Sequence, residues 1–335
     1  MANLKTTYLG LELKNPLIVG ASSLTANPEK LSVFEDAGAI VIKSLFEEQI
    51  QFEELEMTNA LDEYADRNAE MTRLFPTFKH AGPKEHLLKL KQAKQNSRVP
   101  VIASLNAMHD DTWVEYAKQI EQTGVDAIEL NLYMTPRSFD MAGDDIVQSQ
   151  IDTLSKVGKA LSIPIAVKLS PFYTNPLAVI SRMDKENVKG FVLFNKMFQP
   201  DINIEKESLE QTIVLSDSYD VRLATRFAGL LHGNIKGDIA SAGGIMTGAD
   251  AIKTMLAGAS AFQVVSSLYV NGTGYIKTIL ADIEAWMDSK GYVGISDFQG
   301  KLSKSHLTDP FAYRRSQYVD IIMKSEQYLN RNTLP

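Results

Sequence analysis

Apolar runs of strand length recur along the chain: LIVGASS (17–23), AIVIKSLF (39–46), VPVIASLNA (99–107), AIELNLYM (127–134), PIAVKLSP (164–171), GFVLFNKM (190–197), DIASAGGI (238–245) and AFQVVSSLY (261–269). They are continuous instead of alternating, the pattern expected of strands buried on both faces. Helix-patterned segments lie between most of them, such as WVEYAKQIEQTG (113–124), which Gly124 ends, and IDTLSKVGKALS (151–162). Another places Ala251, Ile252, Met255, Leu256 and Ala259 on one face, and a final helix is expected near Thr278 to Lys290. Strand and helix units in this order, joined by right-handed crossovers, predict a closed (β/α)8 barrel. An open dinucleotide-binding sheet would need a glycine-rich fingerprint after its first strand, and GASSL does not supply one.

One domain over 1–335 is expected, with a barrel core of about 15–290 and a C-terminal extension over 291–335. LKTTYLGLEL (4–13) alternates around Gly10 and predicts an N-terminal hairpin closing the barrel floor. Residues 46–98 form a long charged link, acidic near Glu47 to Glu56 and turn-marked at FPTFKHAGPKE (75–85), that reads as a lid or as a solvated surface excursion. Residues 198–218 predict a second hairpin over the same face, so the strand-end loops are extended. The tail from Tyr292 carries no barrel strand and is assigned to packing or to a subunit contact.

Composition narrows the function. A net charge of −7 without a basic run gives no support for a nucleic-acid surface. No apolar stretch nears the ~18 residues of a membrane span, and MANLKTTYLG has no secretory core, so a cytoplasmic protein without membrane contact is expected. The absence of cysteine removes thiol nucleophiles and thiolate-held clusters. The five histidines show no metal-ligand spacing, so no metal site is expected, and neither a nucleophile elbow nor a P-loop occurs.

Chemistry in such a barrel sits where the strands end. The polar residues there are Ser22, Lys43, Ser44, Asn106, Glu129, Asn131, Lys168, Ser170, Asn195 and Lys196. Gly243 and Gly244 after the seventh run, with Ser266 and Ser267 after the eighth, fit a phosphate held by backbone N–H groups and hydroxyls. Lysines inside apolar runs, as in VIKSL and AVKLS, are costly to bury without an anionic partner. That partner is either a bound anionic cofactor or a neighbouring carboxylate, for instance Glu129 beside Lys168.

Three segments carry a resemblance: ELN at 129–131, AVKLSP at 166–171 and SAGGIMTGADAIKTMLAGASAFQV at 241–264. Together they resemble the FMN-binding barrel of the dihydroorotate dehydrogenase family, in its class 1-like form. DTWVEYAKQIEQTGVDAIELNL (111–132) is also similar to the flavin barrel of dihydropyrimidine dehydrogenase, and NPLIVGASS, IKS and DFQGKL extend the likeness over most of the first 302 residues. The resemblance implies a flavoprotein oxidoreductase of pyrimidine biosynthesis that oxidises dihydroorotate to orotate, or a related dihydropyrimidine. It implies that Ala21, Ser22, Lys43, Ser44, Asn106 and Asn131 contact FMN, with Lys168 beside the N1/O2 edge as a fixed cation. Gly243, Gly244, Ser266 and Ser267 would take the phosphate, Asn131 and Asn195 would reach the substrate, and a homodimer is expected. The electron acceptor is open between a soluble oxidant such as fumarate and a partner flavoprotein.

The substrate half departs from the family. Where a cysteine or serine base follows ELNL, this chain reads ELNLYMTPRSF and places Met134 there, and a thioether cannot take a proton. Tyr133, Thr135 or Ser138 supplies the base from a rearranged loop, or the reaction needs none there, or the chain binds FMN without turnover. A second class of activity, an aldolase-like lyase with Lys168 or Lys43 as Schiff-base amine acting on a phosphorylated substrate, shares the phosphate site and the buried lysine.

Overall fold

The computed structural model describes residues 2–46, 82–106, 110–132, 138–197 and 199–327. The chain opens with an antiparallel hairpin, β1 (Thr6–Tyr8) and β2 (Leu11–Leu13). Then come β3 (Leu17–Val19), β4 (Ala39–Val41) and the short β5 (Leu45–Phe46), which extends the pairing along the upper part of β6 (Val101–Asn106). β7 (Ala127–Leu132), β8 (Ile165–Leu169) and β9 (Gly190–Leu193) follow. A second hairpin, β10 (Pro200–Asn203) with β11 (Ser208–Gln211), precedes β12 (Asp238–Ala242) and β13 (Ala261–Val264). Parallel pairing runs β3–β4–β6–β7–β8–β9–β12–β13 and returns from β13 to β3, so the predicted (β/α)8 barrel is closed. Each of the apolar runs singled out in the sequence contributes one of its strands.

Helices α1 (Gly82–Asn96), α2 (Asp110–Glu121), α3 (Gly143–Ala160), α4 (Pro176–Met183), α5 (Val221–Leu231) and α6 (Gly248–Ala257) accompany the strands. α7 (Ser266–Asn271), α8 (Tyr275–Lys290) and α9 (Arg315–Met323) complete the described helices. Two differ from the sequence reading. α1 lies in the segment read as a link, because its lysine-rich surface leaves Leu90 and Ala93 as its fully buried residues and its periodicity is faint. α3 begins at Gly143 instead of 151, because Asp144 and Asp145 favour its N-terminal dipole while Val147 and Gln150 already face inward. The acidic run from Glu47 lies outside the described residues.

The strands alternate after all. Their larger residues, including Ile128, Leu130, Val167, Phe191 and Phe262, pack outward against the helices. Many of their inward positions are small: Ala39, Ala127, Ala166, Ala240 and Ala261, together with Ile18, Val41, Ile102 and Val192, surround Tyr8, Leu9 and Leu13 of the floor hairpin. Alanines lining the lower barrel leave the volume that Tyr8 fills, so the expected hairpin is a plug. Its turn puts Leu9 and Gly10 at φ 57° and 76°, and the Leu9 N–H donates to the Asp238 carboxylate at 2.7 Å. A non-glycine residue tolerates that turn here because it is both buried and hydrogen-bonded. Gly190 makes the fit possible, since a Cβ there would lie 2.5 Å from Leu9 Cδ2.

The tail docks against the helical ring. Gly300 and Leu302 donate backbone N–H groups to Met255 and Leu256 at the end of α6, and Lys304 donates to Gly229 of α5. Tyr313 lies directly over Gly229, where a Cβ would come within 2.0 Å of its hydroxyl oxygen. Among the described residues no helix is long and apolar enough to cross a membrane.

His86 on α1 supplies a pH test of the ring. Burial, aided by the nearby Lys89 charge, lowers its pKa from 6.5 to about 4, and its Nε2 has no hydrogen-bond partner among the described residues. The fold therefore holds the ring neutral, and its contribution is complete above pH 6.5 and lost as pH falls toward 4. Thermal unfolding across that window should show the native protein losing about 2–3 kcal/mol relative to His86→Phe. Parallel curves for the two proteins would contradict this account.

Candidate active site

The inward positions change character up the barrel. On β7 they read Ala127, Glu129, Asn131; on β8, Ala166 then Lys168; on β13, Ala261 then Gln263; on β6, Ile102, Ser104, Asn106. Mostly alanines occupy the floor, a charged and polar layer the middle, and amides the rim. Period-two spacing creates these layers, since residues i and i+2 share a face.

In the middle layer Lys168 Nζ donates to Gln263 Oε1 at 2.9 Å and lies 3.6 Å from Glu129 Oε1. Gln263 Nε2 donates in turn to Glu129 Oε2. All three residues are buried, Glu129 almost completely. Beneath them the Tyr8 hydroxyl has no partner, and burial followed by the Glu129 and Asp238 charges pushes its pKa well above the phenol value, so it stays neutral. Around the layer Ser44 and Ser104 share a hydrogen bond of 2.7 Å, and the Asn195 amide donates to Asn131 at 3.2 Å.

Two cavities open above this layer. One, of about 580 Å³, is lined by Ala21, Ser22, Lys168, Gly243, Gly244 and Ser266, with Ile213, Val214 and Leu215 as an apolar wall. The other, of about 310 Å³, is lined by Ser44, Asn106, Glu129 and Asn131 and also touches Ala21, Lys168, Asn195 and Lys196, so the two share a wall. The larger lies within the range of sites for cofactor-sized molecules. Lys168 thus faces a carboxylate, the partner the sequence left open, beside a space still large enough for a ring system.

The paired glycines divide the work at one end of the larger cavity. Gly243 has φ +87° and open space where a Cβ would stand, so a ligand can reach its backbone. Gly244 instead lets the loop approach α5, because a Cβ there would fall 2.3 Å from the Val221 nitrogen. Ser266, at the start of α7, accepts the Ser216 N–H at 3.0 Å. The Ser22 hydroxyl is buried without a partner beside the cavity.

Other expected residues stand apart. Lys43 is exposed, so the desolvation cost that argued for an anion beside it does not apply. Ser267 is fully buried with an unpartnered hydroxyl and lines neither cavity. Ser138 is exposed and accepts the Asp140 N–H at 3.1 Å. Tyr133, Met134, Thr135 and Pro136 lie outside the described residues. The sequence reading passed over Gln263 and Ser104, although a lone polar residue at an inward strand position was the same signal that marked Lys168.

Paired glycines and a serine at one end, a cleft of about 580 Å³ and a buried cation on its wall make a barrel-top site that can take an anionic ligand. A sequence model of the family described as dihydroorotate dehydrogenase matches residues 3–287, and the chain belongs to that family. It is similar to the dihydroorotate dehydrogenase B (NAD(+)) catalytic subunit of Thermoplasma acidophilum, 26% identical over 90% of this chain and 99% of that protein. It is also similar to dihydroorotate dehydrogenase A (fumarate) of Lactobacillus helveticus, 25% identical over 90% of this chain and 99% of that one. Chloroplastic dihydropyrimidine dehydrogenase (NADP(+)) of Arabidopsis thaliana matches at 22% over 89% of this chain and 76% of its own length. The chain is therefore a flavin-dependent oxidoreductase of the dihydroorotate dehydrogenase type, and family membership removes the lyase reading.

The middle layer predicts a stability asymmetry. Lys168→Met strands the Glu129 carboxylate and should cost about 3 kcal/mol in urea unfolding, whereas Lys168→Met with Glu129→Gln should recover most of that loss. Equal stability of the single and double variants would show that the pair is not coupled.

Proposed function

We propose that this protein binds FMN non-covalently across the two cavities and oxidises dihydroorotate, or a closely related dihydropyrimidine, as a cytoplasmic homodimer. Lys168, held at the wall the two cavities share, is the observation that carries the reading. Bound FMN would supply the two-electron acceptor that no side chain of this protein offers. The residues present fit it. Backbone N–H groups near Gly243 and the Ser266 hydroxyl would hold the phosphate, and the unpartnered Ser22 hydroxyl and Ala21 would line the ring. Asn106 and Asn131 would meet its polar edge, with Ser44 and Ser104 behind the smaller cavity. The exposed Lys43 would reach the same edge from the rim, and Ser267 would support the phosphate end from below.

Substrate orientation falls to the Asn131–Asn195 amide pair, which can present both donors and acceptors to a dihydropyrimidine ring. Lys168 contributes a fixed positive charge, which favours charge accumulating beside it in a low-dielectric cleft. A hydroxyl of Tyr133, Thr135 or Ser138 accepts the ring proton in place of the family's usual base, relayed to solvent because a free hydroxyl is a weak base. Relatives named for NAD(+) and for fumarate both match, and the acceptor is assigned by which of them reoxidises the reduced protein, alone or with a partner flavoprotein.

The purified protein should be yellow, and anaerobic dihydroorotate should bleach it. Among Tyr133→Phe, Thr135→Val and Ser138→Ala, the one that removes the base should slow bleaching about 100-fold or more while leaving FMN bound. A colourless protein that takes up no added FMN would defeat the cofactor assignment. A yellow protein bleached by other dihydropyrimidines and not by dihydroorotate would move the substrate within the class.

A further inference from the structure

We propose that Glu129, with Gln263 as its bridge, is a positioning residue that sets the net positive charge Lys168 presents to the cofactor and thereby fixes the reduction potential of bound FMN. This inference rests on the flavin reading above.

Glu129 is out of place for a merely structural residue. It is 1% exposed, on a strand whose lower inward neighbour is Ala127, and among the described residues nothing donates a hydrogen bond to its Oε1. An isolated buried carboxylate is costly, and Lys168 is its one ion-pair partner among the described residues. The Gln263 amide orientation follows from both charges. An ammonium can only donate and a carboxylate can only accept, so the carbonyl must face Lys168 and the NH₂ must face Glu129, as they do. The amide thus locks the lysine in register with the carboxylate.

The other groups near this layer do not share the task. Asp238 is tied to the Leu9 N–H, the Tyr8 hydroxyl stays neutral, Lys196 pairs with Asp220 at 2.9 Å, and Lys43 is exposed. Reduction adds negative charge to the cofactor. With Glu129 ionised, that charge meets a lysine already half balanced; with Glu129 neutral, it meets an uncompensated cation, and the reduced form gains.

Spectroelectrochemical titration of the FMN-loaded protein tests this without reference to turnover. Glu129→Gln, close to isosteric, should shift the reduction equilibrium at least tenfold toward the reduced form, about +30 mV for a two-electron couple. Glu129→Asp, which keeps the charge, and Tyr8→Phe, which removes a neutral neighbour, should each stay within threefold of the native protein. Should Glu129→Gln fail to fold, Glu129→Met carries the same comparison with Lys168 in place and should again be the easier to reduce. A change below twofold on losing the carboxylate, in a folded protein that retains FMN, overturns the role of Glu129 and leaves the flavin reading standing. Failure of the native protein to retain FMN overturns both.

Discussion

Placing an ammonium group inside a narrow barrel is the constraint on which this site depends. In the interior a bare charge is far more costly than any single packing contact is worth, so Lys168 requires partners that stay fixed. Gln263 and Glu129 provide them from β13 and β7, strands that are not neighbours in the sheet. The arrangement needs a barrel, because only a closed sheet points side chains from such strands into one small volume. It also needs a floor, because water entering from below would screen the pair. Tyr8, Leu9 and Leu13 close that route.

The floor and the site are therefore one construction. Alanines low on the strands make room for the plug, and the plug's dry upper surface is the base on which the charged layer rests. Asp238, at the lower end of β12, anchors the plug by accepting the Leu9 N–H of its strained turn. Above the charged layer, polar density gives way to glycine, serine and amide groups, which can approach a ligand closely without filling its space.

Much of this was legible in the sequence, and particular residues show why. Continuous apolar runs marked the strands because helices cover one side and the plug fills the other. VKL and GGI marked a cation and a close-approach turn, since few other reasons place lysine or paired glycine at a strand end. The runs are not uniform, however: each has an inward and an outward set. The alternation of Ala127, Glu129 and Asn131 against Ile128, Leu130 and Leu132 already encoded which side faced inward, and it pointed to Gln263 as plainly as to Lys168. Lys43 lies two residues past the end of β4 and is exposed, so the burial expected of a lysine inside an apolar run does not hold there.

The sequence by itself determined the order of strands and helices, the closed barrel, the family and the residue types available at the strand ends. These depend on local periodicity and composition, which the chain carries at every position. Only the tertiary structure decided who partners whom. It set Glu129 against Lys168, gave Gln263 the bridging role, turned Gly244 toward α5 and Gly243 toward the cavity, and left Lys43 exposed. Contacts between residues as far apart in the chain as Glu129 and Gln263 are fixed by the shear and closure of the sheet, a global property that no local pattern contains.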